Sequence, residues 1–328
     1  MQHLKITTQS WPIAGQFRIS RNSLTQIEVV SVEITAGQYK GRAECRPYAR
    51  YEESAASVTA QIESIRDAIE SGLTPEQLQS HLPAGAARNA VDCALWDLRA
   101  KTRQQSLAQM LGIAPARARQ TAYTLSLDSP AKMGQAALEA KDYPLLKIKI
   151  GAQQGLEASL AVLKARPDAQ LIIDANEALQ PCELEAFRAA LTGKNVAMME
   201  QPLPAKDFDK IDNAPDTRPI YCADESLHGI EDLEPLWAAG YRAVNVKLDK
   251  CGGLTPALAL MQAAKAQGFT IMAGCMVGTS LAMAPMMILE QFADYIDLDG
   301  PLLLAKDIKN GIKYEGAIIH PPSKALWG

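Results

Sequence analysis

The segment "LLKIKIG" (residues 145–151) decides the fold. It has the apolar run and glycine stop of a buried strand, yet it carries Lys147 and Lys149, two residues apart. Side chains alternate faces along a strand, so both ammonium groups point to one side. Around this segment, from about residue 120, short apolar strands alternate with helical patterns. The strands are "TAYTLSL", "LLKIKI", "QLIIDA", "VAMMEQ", "PIYCADE", "AVNVKL", "FTIMAG" and "YIDLDG". Eight βα-type units over roughly 190 residues fit a closed parallel barrel better than an open doubly wound sheet. No G-x-G-x-x-G or G-x-x-x-x-G-K-[ST] occurs, so nucleotide-binding folds lose their main support.

The flanks are of another kind. "QIEVVSVEITAG" is strand-like; from Ser54, "SAASVTAQIESIRDAIESGLT" and then "GAARNAVDCALWDLRAKTRQ" carry apolar residues at helical spacing. Strands followed by helices predict a small α+β unit over residues 1–118, ahead of a barrel over 119–305. The turn-rich tail 306–328 is expected to pack back on that unit. The chain of 328 residues is 48 % apolar and 21 % charged, ordinary for a soluble globular protein, and its net charge of −4 gives no electrostatic reason to bind nucleic acid or anionic membrane. The expected partner is a small molecule, and a homo-oligomer is compatible with the sequence. Six cysteines without metal-finger spacing, and no secretory signal at the start, predict a cytoplasmic protein. Residues 271–289 hold no charge and are about long enough to span a bilayer. Their glycines, Thr279, Ser280 and Pro285 predict instead a barrel strand, a loop and a helix.

Three successive barrel strands end in an acid: Asp174, Glu200 and Asp224, at intervals of 26 and 24 residues. A single strand-end acid is as well explained as the cap of the following helix. Three in succession meet at the C-terminal rim, where barrel enzymes carry their chemistry. Crowded carboxylates repel unless a cation sits among them, and all-oxygen ligation without His or Cys points to one Mg²⁺ per subunit rather than Zn²⁺.

The two lysines of the second strand face "VNVKLDK", which places Lys247 on the sixth. Strands two and six of eight are diametrically opposed, so a substrate held between them meets an amine on each face. That suits removal of a proton next to a carboxylate, with the ion stabilising the enediolate. Nearby positive charge, from the ion and Lys147, makes Lys149 a usable base. One base returns the proton to the same face or expels a leaving group; two invert the centre. Taken singly, Lys147 and Lys149 fit an edge strand guarded by lysine, and Lys247 fits a surface position. Lys250 is read as solvent-facing.

These residues resemble the enolase superfamily, specifically its muconate-lactonizing subgroup with a K-x-K motif. Sites of that superfamily pair a Lys or His base with Mg²⁺. The resemblance covers nearly the whole chain through "LKIKIG", "DANEAL", "MEQPLP", "CADES", "VNVKLDKCGGL", "GCMVGTS" and "DLDGP". It implies a (β/α)7β barrel closed by an α+β capping domain built from both termini. It also implies Asp174, Glu200 and Asp224 as Mg²⁺ ligands, Lys149 and Lys247 as the acid/base pair, and Lys147 as a holder of the substrate carboxylate. "DLDGP" is similar to the dipeptide epimerases of the subgroup, in which the two acids, here Asp297 and Asp299, bind a dipeptide's ammonium; the plainer reading is an Asp-rich turn. Arg21, with Arg18 nearby, is then expected to meet a γ-carboxylate. Tyr48, Arg50 and Tyr51 belong to a second capping loop, and Thr124 and Ser280 are expected at the substrate carboxylate or peptide. The implied reaction is inversion of the C-terminal residue of L-Ala-D/L-Glu by a two-base 1,1-proton transfer, an activity suited to murein peptide recycling. Cycloisomerases, o-succinylbenzoate synthases and N-acylamino acid racemases share the scaffold and are the alternative; they do not need the ammonium-binding pair.

Overall fold

The computed structural model describes residues 2–211 and 219–328. Three antiparallel strands open the chain: β1 (Gln2–Arg18), β2 (Ser23–Ala36) and β3 (Tyr39–Cys45), in spatial order β1-β2-β3. Sequence periodicity shows only the middle one. β1 is an edge strand with most of its side chains exposed, interrupted by Pro12 and by an irregularity in register between Pro12 and Phe17. It therefore lacks the apolar alternation of a half-buried strand. The first helical stretch is also divided, into Ala55–Glu63 and Arg66–Glu70, because Ile65 leaves helical geometry.

The helix Ala86–Arg103 packs its small face on β3. A Cβ at Gly41 would overlap the Ala94 carbonyl and the Leu98 backbone, so a glycine is required at this crossing. The same helix fastens the first unit to the second half of the chain. Trp96 donates to Thr255 (2.8 Å), Asn89 to Asp249 (2.8 Å), and Arg88 to the Cys251 carbonyl (2.7 Å).

After a short β4 (Arg119–Gln120), the chain forms eight parallel strands. They are β5 (Tyr123–Leu125), β6 (Leu145–Lys149), β7 (Gln170–Asp174), β8 (Val196–Glu200), β9 (Ile220–Ala223), β10 (Ala243–Val246), β11 (Thr270–Gly274) and β12 (Tyr295–Asp297). They lie side by side in chain order. The ring closes where Thr121 bridges Ile296 and the Ala122 amide donates to the Ile296 carbonyl (2.8 Å). All eight strands coincide with the apolar runs of the sequence. Helices join most of them; after β8 the described residues hold a 3₁₀ segment, Ala205–Lys210, in place of an α-helix. The uncharged stretch 271–289 is divided between β11 and the helix Ser280–Ile288, and among the described residues no helix is long and apolar enough to cross a membrane.

Near the C-terminus, β13 (Tyr314–Glu315) and β14 (Ile318–Ile319) form a small sheet with β4. Beyond it, Arg42 of β3 donates to the carbonyls of Ala325 and Leu326, and the Gly328 amide donates to Asp97 (2.8 Å).

Inside the ring, alternation builds a floor and a rim. Ala122, Leu145, Ile172, Met198, Cys222, Ala243 and Met272 form one apolar cluster. Two residues further along the same strands, the inward positions become Thr124, Lys147, Asp174, Glu200, Asp224 and Asn245. The outward residues of β6, Leu146 and Ile148, join the larger core beneath the helices.

Candidate active site

The inward polar positions meet at the C-terminal ends of the strands, under the first unit. Register sets the neighbours: Lys149 pairs with Asp174, and Asp174 with Glu200. Lys149 Nζ donates to Asp174 Oδ2 (2.5 Å), and Lys247 Nζ to Asp224 Oδ2 (2.7 Å). Lys147 Nζ sits among three acids, 2.8 Å from Asp297 Oδ2, 2.6 Å from Glu200 Oε2 and 3.2 Å from Asp174 Oδ2. β6 and β10 lie four places apart in the ring of eight, so Lys149 and Lys247 stand on opposite walls.

Several further residues hold this arrangement. Asn245 Nδ2 donates to Glu200 Oε1 (2.7 Å), and Gly274 leaves the space for that amide, which an added Cβ would fill. Gln201 accepts from the amides of Asp224 (2.9 Å) and Ser226 (3.0 Å), fixing the turn after β9. Lys250, expected in solvent, is 2 % exposed. It lies on the one-turn helix Leu248–Cys251, which directs its ammonium back to Asp224 Oδ1 (2.6 Å), the Asp224 carbonyl and the Asn245 carbonyl (3.0 Å). None of Asn245, Gln201 and Lys250 is legible in the sequence; an inward position on β10 is the one available signal for Asn245.

Burial and charge pull the acids apart. Burial works to raise Asp174 and Asp224, but the adjacent lysine ammonium groups outweigh it and hold both below the usual carboxylate range. Glu200 is pushed up to about 8 by burial and by the negative charge of Asp174, which Lys147 only partly offsets. Burial works against the Lys147 and Lys247 ammonium groups, yet the surrounding carboxylates raise both.

Among the described residues, no three acid, His or Cys groups converge as a formed ion site. The carboxylates turn instead to the lysine ammonium groups between them. Their chemistry nonetheless suits a hard dication: Asp174, Glu200 and Asp224 offer only oxygen, are fully buried, and leave Glu200 Oε2 without a hydrogen-bond donor, since Lys147 Nζ lies near it but off the bonding direction.

A cleft of about 740 Å³, counted to its open mouth, lies above this cluster. Lys147, Lys149, Asp224, Lys247, Thr124, Asp297 and Asp299 line its lower part; Arg21, Tyr48, Tyr51, Arg46 and Leu24 of the first unit line its roof. Asp299 Oδ2 accepts from the Thr124 amide (2.6 Å), and burial together with Asp297 raises it to about 7. Asp297 Oδ1 is buried with no donor.

The structure does not bring every expected residue here. Ser280 is fully buried outside the cleft; it donates to Asp307 (2.5 Å) and accepts from the Ile312 amide, because it opens the helix after β11 and faces the tail. Arg18 points outward, bonding Gln16 and lying 3.7 Å from Asp128. Arg50 grips Glu177 with two hydrogen bonds of 2.7 Å at the rim. Arg21 is at the roof, but its guanidinium is engaged: NH1 donates to the Asn176 carbonyl and Glu177 Oε2, NH2 to Glu225 Oε1 (2.7 Å).

A barrel with opposed lysines and strand-end acids at its C-terminal rim, roofed by the first unit, is the frame of an enzyme. Residues 1–112 match the mandelate racemase / muconate lactonizing enzyme N-terminal domain, and residues 131–325 match the enolase C-terminal domain-like family. The chain belongs to the enolase superfamily, and is an enzyme of the isomerase class. It is 45 % identical to the L-Ala-D/L-Glu epimerase of Escherichia coli (strain K12), over 98 % of this chain and 100 % of the relative. It is 42 % identical to an N-acetyl-D-glutamate racemase of Pseudoalteromonas, over 92 % of this chain and 95 % of that one. A crystal structure of an enolase family member from Agrobacterium tumefaciens with homology to dipeptide epimerases, holding sodium and L-Ala-L-Glu, superposes with a TM-score of 0.95 at 44 % identity, each chain covered completely. Other solved dipeptide epimerases of this shape hold Mg and a dipeptide.

Proposed function

We propose that this protein is a Mg²⁺-dependent dipeptide epimerase that inverts the α-carbon of the C-terminal residue of L-Ala-D/L-Glu. The observation that carries the reading is at β12. Asp297 and Asp299 put two buried carboxylates on the cleft wall, with Asp297 Oδ1 lacking any donor. A buried carboxylate oxygen without a donor is costly, and the ammonium of a dipeptide offsets that cost where an acylated nitrogen does not.

The substrate α-carboxylate would lie toward Lys147, whose ammonium orients it. Lys149 and Lys247 then flank the α-carbon. One removes the α-proton and the other delivers a proton to the opposite face, so the centre inverts. Asp174, Glu200 and Asp224 would hold the divalent ion, which supplies positive charge opposite the substrate carboxylate as negative charge develops there. The roof residues Tyr48 and Tyr51 exclude water from the proton transfer. Release and reuse of cell-wall dipeptides in the cytoplasm is the setting this substrate suggests.

The 42 % identity to an N-acetyl-D-glutamate racemase supplies the rival substrate. The two are separated by Asp297→Asn. For a dipeptide epimerase, kcat/KM on L-Ala-L-Glu falls by about 100-fold or more, the loss of one buried charge partner, while activity on N-acetylglutamate is low in both proteins. If the wild type prefers N-acetylglutamate and Asp297→Asn leaves that rate unaltered, the dipeptide reading is wrong.

A further inference from the structure

Lys250 is the fourth lysine at the strand-end acids, and the proposed proton transfer makes no use of it. It lies three residues after Lys247 on the one-turn helix Leu248–Cys251, with 2 % of its surface exposed. Lys147, Lys149 and Lys247 line the cleft, whereas Lys250 does not, so its ammonium is out of reach of a substrate. Its three N–H bonds have three acceptors, all in this chain: Asp224 Oδ1 (2.6 Å), the Asp224 carbonyl and the Asn245 carbonyl (3.0 Å). An ammonium so engaged is neither a base nor a substrate holder.

The three strand-end acids share one pattern, and Lys250 completes it. Each has one oxygen tied by a donor of the protein frame: Asp174 Oδ1 by the Asn176 amide (2.9 Å), Glu200 Oε1 by Asn245 Nδ2 (2.7 Å), and Asp224 Oδ1 by Lys250. The other oxygen of each is turned to a lysine of the cleft. Asp174 Oδ2 meets Lys149 (2.5 Å), Glu200 Oε2 lies 2.6 Å from Lys147, and Asp224 Oδ2 meets Lys247 (2.7 Å). A carboxylate tied at one oxygen has a fixed plane and offers a single atom to an ion.

We infer that Lys250 is a positioning residue of the ion site: it holds Asp224 Oδ1 so that Oδ2 is the oxygen offered to the dication. The inference rests on the ion-binding part of the proposed function. The first unit takes part as well, because it locates the one-turn helix. Arg88 donates to the Cys251 carbonyl, Asn89 donates to Asp249, and a Cβ at Gly253 would overlap the Asp92 side chain. Docking of the first unit therefore sets Lys250, and through it Asp224.

The test is a Mn²⁺ titration followed by EPR, in which the free ion gives the signal and binding is read without turnover. Lys250→Met removes both the charge and the donors. As a charge alone Lys250 opposes a dication, so its loss would tighten binding; loss of the tether weakens binding instead, by about 10-fold or more. Lys250→Gln removes the same charge but keeps an amide donor on a side chain one atom shorter, and its affinity falls between that of Lys250→Met and the wild type. An affinity equal to the wild type's, or tighter, in either variant overturns the inference. A cooperative melt shows that each variant is folded, and Lys250→Gln alone decides if Lys250→Met gives none. Failure of the ion reading would look different: the wild type itself would bind no Mn²⁺ and gain no turnover from Mg²⁺.

Discussion

Alternation along β6 explains why Lys147 and Lys149 share a face, and why Asp174, Glu200 and Asp224 can gather from three separate strands. For these side chains one rule, inward every second residue, carries the sequence into space. It fails one turn beyond a strand. Lys250 comes three residues after Lys247, where a short helix folds its ammonium inward, and nothing in "KLDK" distinguishes the two lysines. Arg46 lies in an irregular segment with no period at all. The Lys250 ammonium is buried and rests on Asp224, whose other carboxylate oxygen meets Lys247. Lys250→Met is expected to cost roughly 1–3 kcal/mol of unfolding free energy, since Asp224 keeps Lys247 but its Oδ1 and the nearby carbonyls lose their buried donor. Urea denaturation measures it; a loss below about 1 kcal/mol, typical of exposed pairs, would show that the contact is not a buried pair in solution.

Among the elements, the barrel strands are readable because each is a short apolar run between turn residues. β1 is not, since an edge strand that exposes most of its length leaves no alternation to read. The seventh barrel strand shows how an element serves the site at second hand. Gly274 ends β11 without a side chain, and this gives Asn245 on β10 room to donate to Glu200. Gly274→Ala is expected to displace the Asn245 amide, lower kcat/KM by at least 10-fold and cost about 1–3 kcal/mol of stability, as overpacking does. Paired kinetics and denaturation would show both; full activity with lowered stability would mean that Asn245 does not position Glu200.

At the scale of the whole molecule, the junction of the first unit with the barrel is built from acids that a sequence reader assigns to the surface. Glu44 accepts from the Thr279 amide and hydroxyl, Asp92 from the amide and hydroxyl of Thr255, and Asp249 from Asn89 and the Arg46 amide. Charge in a sequence carries no sign of burial, which tertiary packing alone decides. Burial raises each of the three to about 7, against the hydrogen bonds that favour ionisation. An acid whose folded pKa exceeds its unfolded value, about 4, binds its proton more tightly in the folded state. Its stabilisation is complete below about pH 4 and is lost as pH rises through about 7. The melting temperature is therefore expected to fall between pH 5 and pH 8, with a shallower fall in Asp92→Asn. A parallel slope in that variant would assign the pH dependence to other groups.

The proposed inversion is likewise a property of the whole molecule, since a two-base transfer would need two walls of one barrel to act on one carbon. The most direct measurement is ¹H NMR of L-Ala-L-Glu and L-Ala-D-Glu in D₂O with Mg²⁺, using the wild type, Lys149→Ala and Lys247→Ala. With one base on each wall, the wild type replaces the glutamate α-proton with deuterium while the other diastereomer grows in. Each lysine variant should lose inversion, with the two variants retaining exchange on opposite diastereomers. Inversion that persists in either variant, or exchange surviving on the same diastereomer in both, would contradict a mechanism with one base on each face.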